Sequence, residues 1–207
     1  MSSTTDTRKK RSDGERSRAT ILDAAARLAT VEGLEGLSIG RLADHIGMSK
    51  SGLYAHFGSK EELQLATVET AGRIFVEEVV RPTRSATGPT ARVHALTDSF
   101  LSYLERKVFP GGCFFASAVA ELDTHPGLVK ERLAEFQRAW LEKLEELLRE
   151  GQEQGELDAA EDPAQLAFEV HALLGMANTA FQLHGDPGSM QRARVGIRRR
   201  LELARPA

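Results

Sequence analysis

The chain has 207 residues, 41% of them hydrophobic and 28% charged, with a net charge of −3, which is typical of a globular protein with a buried core and excludes a disordered chain. Its single cysteine, Cys113, excludes an intramolecular disulfide framework, and its six histidines are too scattered to predict a zinc site. No stretch has the roughly 18 uncharged apolar residues of a membrane span or the apolar core of a signal peptide, so we expect a cytoplasmic protein without a membrane partner, metal or cofactor.

The N-terminal quarter is basic although the chain as a whole is acidic. Residues 1–60 carry ten Lys or Arg against seven Asp or Glu, whereas the remaining 147 residues carry seventeen against twenty-three. Residues 1–13 lack apolar periodicity and contain the run Arg8, Lys9, Lys10 and Arg11, which predicts a disordered basic arm. Such an arm either keeps the protein soluble or reaches into a groove of a nucleic acid. An anionic partner is expected to meet this quarter of the chain.

Residues 14–62 are predicted to form a small domain of short helices. The first has an apolar stripe at i, i+3, i+4 and i+7 and ends at Gly33. Ser38 is placed to cap a second helix and Ser49 a third, and Gly47 and Gly58 end these two helices. Ser59, with Glu62 three residues later, forms a capping box for a fourth helix. The close spacing of the second and third helices predicts a helix-turn-helix.

The third helix lies in the stretch MSKSGLYAHFGSK, residues 48–60, and no acid occurs anywhere in residues 45–60. A helix that enters the major groove of DNA needs an acid-free exposed face with hydrogen-bond donors, while Leu53 and Phe57, four residues apart, are expected to anchor it. The alternative is a solvated surface helix, but that does not explain the exclusion of acids. The candidate DNA-binding residues are Ser38, Ser49, Lys50, Ser51, Gly52, Tyr54, His56 and Lys60.

The segment LSIGRLADHIGMSKSGLYAHFGSKEEL, preceded by TILDAAARLATVEG, resembles the DNA-binding domain of TetR-family transcriptional regulators over about residues 16–65. The resemblance implies an all-α homodimer that binds a palindromic double-stranded DNA operator. It also implies a larger C-terminal domain, here residues 63–207, that dimerises and holds a small-molecule effector. The implied function is that of a sequence-specific transcription regulator, most often a repressor released by its ligand, and not an enzyme.

The resemblance also implies roles for single residues. Positions matching Lys50, Ser51 and Gly52 lie toward base edges or the near backbone in that family. The positions that mainly meet phosphates match Tyr54, His56 and Lys60. Because Gly52 contributes no side chain, base reading is expected to fall on Lys50 and Ser51.

The C-terminal domain is predicted to be helical throughout. A helix runs from near Lys60 toward Val80, and further helices are predicted over residues 90–107, 110–122, 126–150, 163–185 and 189–204. Residues 170–185 contain no Asp, Glu, Lys or Arg, so this helix is predicted to pack against both its own domain and a second subunit, together with the final helix. Burial within a single chain is the alternative.

Ligand sites between helices are built from aromatic and polar side chains. The candidate pocket residues are Phe75, Phe100, Tyr103, Cys113, Phe115, Trp140, His171 and Asn178. The regular apolar stripe around Trp140 favours plain packing for that residue, and Cys113 is predicted to be a buried core residue rather than a redox sensor. Two other functions stay open: an enzyme with Cys113 as nucleophile and His94 or His171 as base, and a DNA-bound scaffold without a ligand.

Overall fold

The computed structural model describes the backbone of residues 3–206 and the side chains of residues 16–206. All regular secondary structure in this part of the chain is helical. The predicted all-α class is therefore confirmed. The first four helices are α1 Ser3–Glu32, α2 Ile39–Ile46, α3 Lys50–Phe57 and α4 Lys60–Phe75. The following helices are α5 Pro89–Glu105, α6 Phe114–Leu122, α7 Leu128–Glu153, α8 Pro163–His184 and α9 Gly188–Leu203.

The three predicted serine caps fix the helix breaks of the N-terminal domain. The Ser38 Oγ accepts a hydrogen bond from the Arg41 N–H at 3.3 Å. The Ser49 Oγ accepts a hydrogen bond from the Gly52 N–H, and the Ser59 Oγ accepts one from the Glu62 N–H, both at 3.1 Å. Each cap satisfies a backbone donor that has no partner inside its helix, so the chain begins a new helix at each serine.

Helix α1 begins earlier than the sequence predicts. The sequence predicts a disordered arm over residues 1–13, but the backbone is already helical from Ser3. Residues 3–13 contain no proline and several good helix formers, so nothing in their local sequence stops the helix that starts further along the chain. Residues 1–2 and the side chains of residues 1–15 lie outside the described part, so a contact of this segment with DNA stays a prediction.

Three other helix boundaries differ from the predictions, and one of them is the start of α6, at Phe114 and not at residue 110. Helix α4 is α-helical only to Phe75, and a π-helical turn, Val76–Val80, and a 3₁₀ helix, Arg81–Ser85, follow it. Pro82 has no backbone N–H and cannot donate the next α-helical hydrogen bond. The long helix therefore ends in a wide π-helical turn followed by a tight 3₁₀ helix. Helix α7 passes through Gly151, where a predicted break is wrong, because this glycine is buried against Leu157.

The C-terminal helices pack around one hydrophobic core. Helix α8 packs against α5, α7 and α9, while α4 and α6 each contact both α1 and α7. The N-terminal and C-terminal parts therefore share helices α1, α4 and α6 as their connection. Within residues 3–206, no helix is both long and apolar enough to cross a membrane.

Candidate nucleic-acid interface and regulatory cavity

Helix α3 has one buried face and one free face. Leu53 and Phe57 are 0% and 1% exposed, so the predicted anchoring pair is in the core. On the other side Lys50 and Ser51 are exposed, and Tyr54 is 57% exposed. No acid lies in the first turn of α3, as the groove of a polyanion requires.

The two predicted DNA-binding serines, Ser38 and Ser49, are also the N-caps of α2 and α3. The oxygens of Ser38 and Ser49 accept the cap hydrogen bonds. The hydroxyl proton of Ser38 is then left for an acceptor outside the helix. The Oγ atoms of Ser49 and Ser51 are 3.3 Å apart. A Cβ at Gly52 would lie 3.1 Å from the Ser49 Oγ, so the glycine keeps this cap compact.

Lys50 lies over the start of α2. A Cβ built on Gly40 would be 3.6 Å from the Lys50 Cε and 3.7 Å from its Nζ. The first turn of α2 contains no acid, and its unpaired backbone N–H groups carry partial positive charge. The Lys50 ammonium and the N-terminus of α2 together make this edge of the domain electropositive, which suits the approach of DNA.

Of the residues predicted to contact phosphate, Lys60 has a side-chain partner and His56 is held through its backbone carbonyl. The Lys60 Nζ is 2.8 Å from the Glu35 Oε1, and this hydrogen bond lowers the pKa of the Glu35 carboxyl. The His56 backbone carbonyl accepts a hydrogen bond from the Arg18 Nη1 at 2.5 Å, and the Arg18 guanidinium lies 4.5 Å from the centre of the Phe57 ring. The predicted phosphate contact of Lys60 requires that its ammonium leave Glu35. Arg18, which the sequence did not single out, supports α3 from α1.

A carboxylate of α6 holds the loop between α1 and α2. The Glu121 Oε2 accepts a hydrogen bond from the Leu34 N–H at 2.7 Å, and its Oε1 accepts one from the Glu35 N–H at 3.1 Å. Gly33 has a φ of 86°, and a side chain there would collide with this carboxylate. The Gln64 side chain of α4 holds the same loop through the Leu34 carbonyl at 2.7 Å. Sequence reasoning missed Glu121, because its partners are more than eighty residues away.

A cavity of about 260 Å³ lies in the C-terminal domain. Its walls are Phe75, Phe100, Cys113, Phe115, Ala116, Val119, Ala120, Phe136, Gln137, Trp140, His171, Gly175 and Asn178. Seven of the eight predicted pocket residues are among them. The eighth, Tyr103, is buried behind the wall, with its ring 6.0 Å from those of Phe75 and Phe100.

The cavity residues that the sequence did not predict follow helical spacing. Ala116, Val119 and Ala120 continue the face of α6 that Phe115 begins, and Phe136 and Gln137 precede Trp140 by one helical turn. A spacing of three or four positions from the predicted residues reaches Ala116, Val119, Phe136, Gln137 and also Gly175, which lies between His171 and Asn178. Ala120 is one turn beyond Ala116 and is not reached from a predicted residue in one step.

The aromatic walls are arranged edge to face. The Phe75 ring is 5.3 Å from the Trp140 ring at 87° and 5.9 Å from the Phe115 ring, also at 87°. Phe115 in turn lies 4.9 Å from Phe136. Such contacts fix ring positions, so the cavity has a defined shape. Trp140 therefore lines a cavity, whereas its apolar stripe favoured plain packing.

Two hydrogen bonds connect polar groups in the cavity wall. The Trp140 Nε1–H donates to the His171 Nδ1 at 3.1 Å, and the Cys113 backbone N–H donates to the Asn178 Oδ1 at 3.0 Å. Burial lowers the pKa of His171 and raises the pKa of the Cys113 thiol, so both groups are uncharged near neutral pH.

These pKa shifts bear on the enzymatic alternative. A nucleophilic cysteine needs a lowered pKa, whereas burial holds that of Cys113 above its ordinary value. The second candidate base, His94, lies in a different groove beside Asp98 and Arg198. In residues 16–206 no group of three or more His, Cys, Asp or Glu side chains is placed to hold a metal ion.

Comparison with known proteins gives two family matches. Residues 21–67 match the model described as bacterial regulatory proteins, tetR family, and residues 89–197 match that of the tetracyclin repressor-like C-terminal domain. A TetR transcriptional regulator from Chloroflexus aurantiacus J-10-FL is similar in structure, with a TM-score of 0.86, 26% identity and coverage of 92% of this chain and 96% of that one. The AibR structure, solved with isovaleryl coenzyme A and operator DNA, has a TM-score of 0.70 and 25% identity, covering 87% and 95% of the two chains.

One curated relative matches over a shorter stretch. The HTH-type transcriptional activator FasR of Mycolicibacterium smegmatis is 32% identical over 88 residues, which is 42% of this chain. The match spans only 40% of the length of that relative.

Proposed function

Because the chain belongs to the TetR family of DNA-binding transcription regulators, we propose that it binds a palindromic operator as a homodimer and that a small molecule in the cavity releases it, as in a repressor. FasR is named an activator. If this chain also activates, the same release switches activation off, and the physical mechanism is unchanged.

One observation carries the proposal: helix α6 belongs to both sites. Its residues Phe115, Ala116 and Val119 line the cavity, and its residue Glu121 holds the loop that leads into α2. A ligand that displaces α6 therefore acts on the position of the helix-turn-helix. A dimer reads half-sites only when its reading helices are about 34–36 Å apart or a multiple of this, so a modest rotation weakens binding.

The proposal is tested with an operator found by selecting bound sequences from a random duplex pool. Lys50→Ala is expected to relax base preference at one or two positions of each half-site, at a cost of about 1–3 kcal/mol for the preferred base. Tyr54→Phe removes only a hydroxyl and is expected to weaken binding to all sequences alike. Titrations of wild-type and variant chains against selected and scrambled duplexes measure both effects. Unchanged binding by both variants would remove α3 from the interface.

The homodimer is supported by an apolar stripe on α8. Phe168, Met176 and Leu183 are 65%, 58% and 73% exposed, and they recur at intervals that place them on one face. Large apolar residues that recur every two turns on one exposed helix face favour an interaction surface. The stripe extends the segment predicted from sequence, residues 170–185, toward the start of α8.

Charges on this stripe are expected to separate the subunits. The double variant Phe168→Asp, Met176→Asp buries two carboxylates in the proposed interface, and we expect it to sediment as a monomer at micromolar concentration. Its operator affinity is expected to fall by at least about a hundredfold, because only one half-site is held. Leu128→Asp, at an exposed apolar residue of α7, is the matched control, and we expect it to leave the dimer and the operator affinity unchanged. A dimeric double variant contradicts the proposed interface.

Glu121 is expected to transmit the ligand signal. Glu121→Ala removes both hydrogen bonds to the loop before α2, while the cavity walls stay intact. Coupling between two sites is typically worth about 1–3 kcal/mol, so the variant is expected to lose most of a roughly 5–150-fold effect of ligand on operator affinity. Asp123→Ala, at an exposed carboxylate beside the end of α6, keeps the effect. Calorimetry shows whether ligand binding itself has changed, and full coupling in Glu121→Ala excludes this route.

A further inference from the structure

We propose that the cavity takes an uncharged, largely aromatic molecule of one or two rings that carries a hydrogen-bond acceptor such as a carbonyl oxygen. This inference rests on the proposed function, in which the cavity holds the effector, and it adds the chemical class of that effector. It follows from the walls, the charge and the free donors of the cavity.

The walls favour a flat apolar molecule. Five aromatic rings surround the space, namely those of Phe75, Phe100, Phe115, Phe136 and Trp140. Edge-to-face and offset contacts with such rings favour an aromatic guest over an aliphatic one of equal area. The volume of about 260 Å³ lies just below the roughly 300–1,000 Å³ of ligand pockets, which limits the guest to one or two rings.

The lining offers no charge to an ionised guest. It contains no Asp, Glu, Lys or Arg. Arg132, whose guanidinium lies 4.4 Å from the centre of the Phe136 ring, is already paired with Glu69 and Glu135. Moving a carboxylate from water into such a site without a partner of opposite charge is strongly unfavourable. For an ammonium, a cation–π contact with an aromatic ring, worth about 2 kcal/mol when desolvated, offsets only part of the same cost.

Three residues of the lining have a polar amide or imidazole side chain. Gln137 can donate or accept a hydrogen bond, whereas His171 and Asn178 are left with donors. An indole N–H only donates, so the His171 Nδ1 that faces Trp140 carries no proton, and the neutral ring carries its proton on Nε2. The Asn178 oxygen accepts the Cys113 N–H, which leaves its NH₂ group. In the described part of the chain neither the His171 Nε2 nor the Asn178 Nδ2 has a hydrogen-bond partner. Both therefore call for an acceptor on the guest.

The test uses four probes of similar size with the full-length chain: acetophenone, ethylbenzene, benzoate and phenyltrimethylammonium. Calorimetry measures their affinities, and fluorescence of Trp140, the single tryptophan, reports whether the cavity is the site. Acetophenone is expected to bind about tenfold more tightly than ethylbenzene, which lacks the acceptor. Benzoate and phenyltrimethylammonium are expected to bind at least about a hundredfold more weakly than acetophenone.

A second variant tests the assignment of the donor. His171→Phe keeps an aromatic ring of similar size and removes the Nε2–H, so it is expected to reduce the advantage of acetophenone over ethylbenzene. Tightest binding by an ion, equal binding of acetophenone and ethylbenzene, or no binding of acetophenone up to its solubility overturns the ligand class.

Operator release separates this inference from the proposed function. If an ionic probe such as benzoate, or an acyl-coenzyme A, binds and releases the operator, the proposed function stands and the ligand class is wrong. If acetophenone occupies the cavity but the operator stays bound at saturation, the ligand class stands and release by ligand is wrong.

Discussion

Phe57→Ala is expected to abolish operator binding by unfolding the N-terminal domain. Phe57 is 1% exposed, and truncation of a buried phenylalanine costs about 3–5 kcal/mol. Whole domains are stable by only about 5–15 kcal/mol, so a small three-helix domain loses much of its stability. The change also removes the ring on which the Arg18 guanidinium rests. Hydrogen exchange of residues 39–57, followed by titration with the selected operator, measures both effects.

Two control variants separate folding from contact. Phe57→Leu keeps most of the apolar volume and is expected to retain protected amides and operator binding within a few-fold. Tyr54→Ala changes an exposed residue of the same helix, so it is expected to weaken operator binding without loss of protection. Full operator affinity in Phe57→Ala would contradict the anchoring role of this residue.

The N-terminal domain was predictable from sequence because its signals are local. A serine at a helix start and the backbone N–H it accepts are three residues apart, so Ser38, Ser49 and Ser59 each predict a break on their own. Leu53 and Phe57 are likewise one helical turn apart. The start of α1 was not predictable in this way, because Ser3–Glu32 has neither a proline nor an apolar stripe at its beginning.

The cavity was predictable only in its residue types. Aromatic residues fill a core and line a cavity equally well, and the sequence therefore favoured packing for Trp140. What separates the two is the space left between helices, which depends on small residues such as Ala116 and Gly175 and on contacts between distant segments. The same reason explains why Glu121 was missed: its two hydrogen bonds connect segments that the sequence pattern does not relate.

Gly175 offers a way to fill the cavity without moving its walls. It lies within α8 and lines the cavity, and a Cβ at this position would have no neighbouring atom within 4 Å. A larger side chain here projects into space that is already empty. Replacing glycine inside a helix also removes its conformational penalty, which is about 1 kcal/mol relative to alanine.

Gly175→Phe is expected to eliminate ligand binding while operator affinity stays within about twofold of wild type. The added ring occupies the site that a guest needs, whereas the Glu121 contacts that position the helix-turn-helix are unaffected. Benzene, which enters dry apolar cavities without hydrogen bonds, is the probe for this variant, so the result does not depend on the acceptor of the true ligand. Calorimetry is expected to detect benzene binding to wild type and none to Gly175→Phe.

Gly175→Ala is the matched control for this change. Its methyl group leaves most of the 260 Å³ open, so we expect it to bind benzene and to respond to ligand like the wild type. Its gain of about 1 kcal/mol in helix stability corresponds to a melting temperature about 2–4 °C higher for a chain of this size. If Gly175→Phe still releases the operator in response to ligand, the effector binds elsewhere. If Gly175→Phe loses operator binding with no ligand present, filling the cavity is enough to produce the released state. Occupancy of the cavity then controls operator binding through α6.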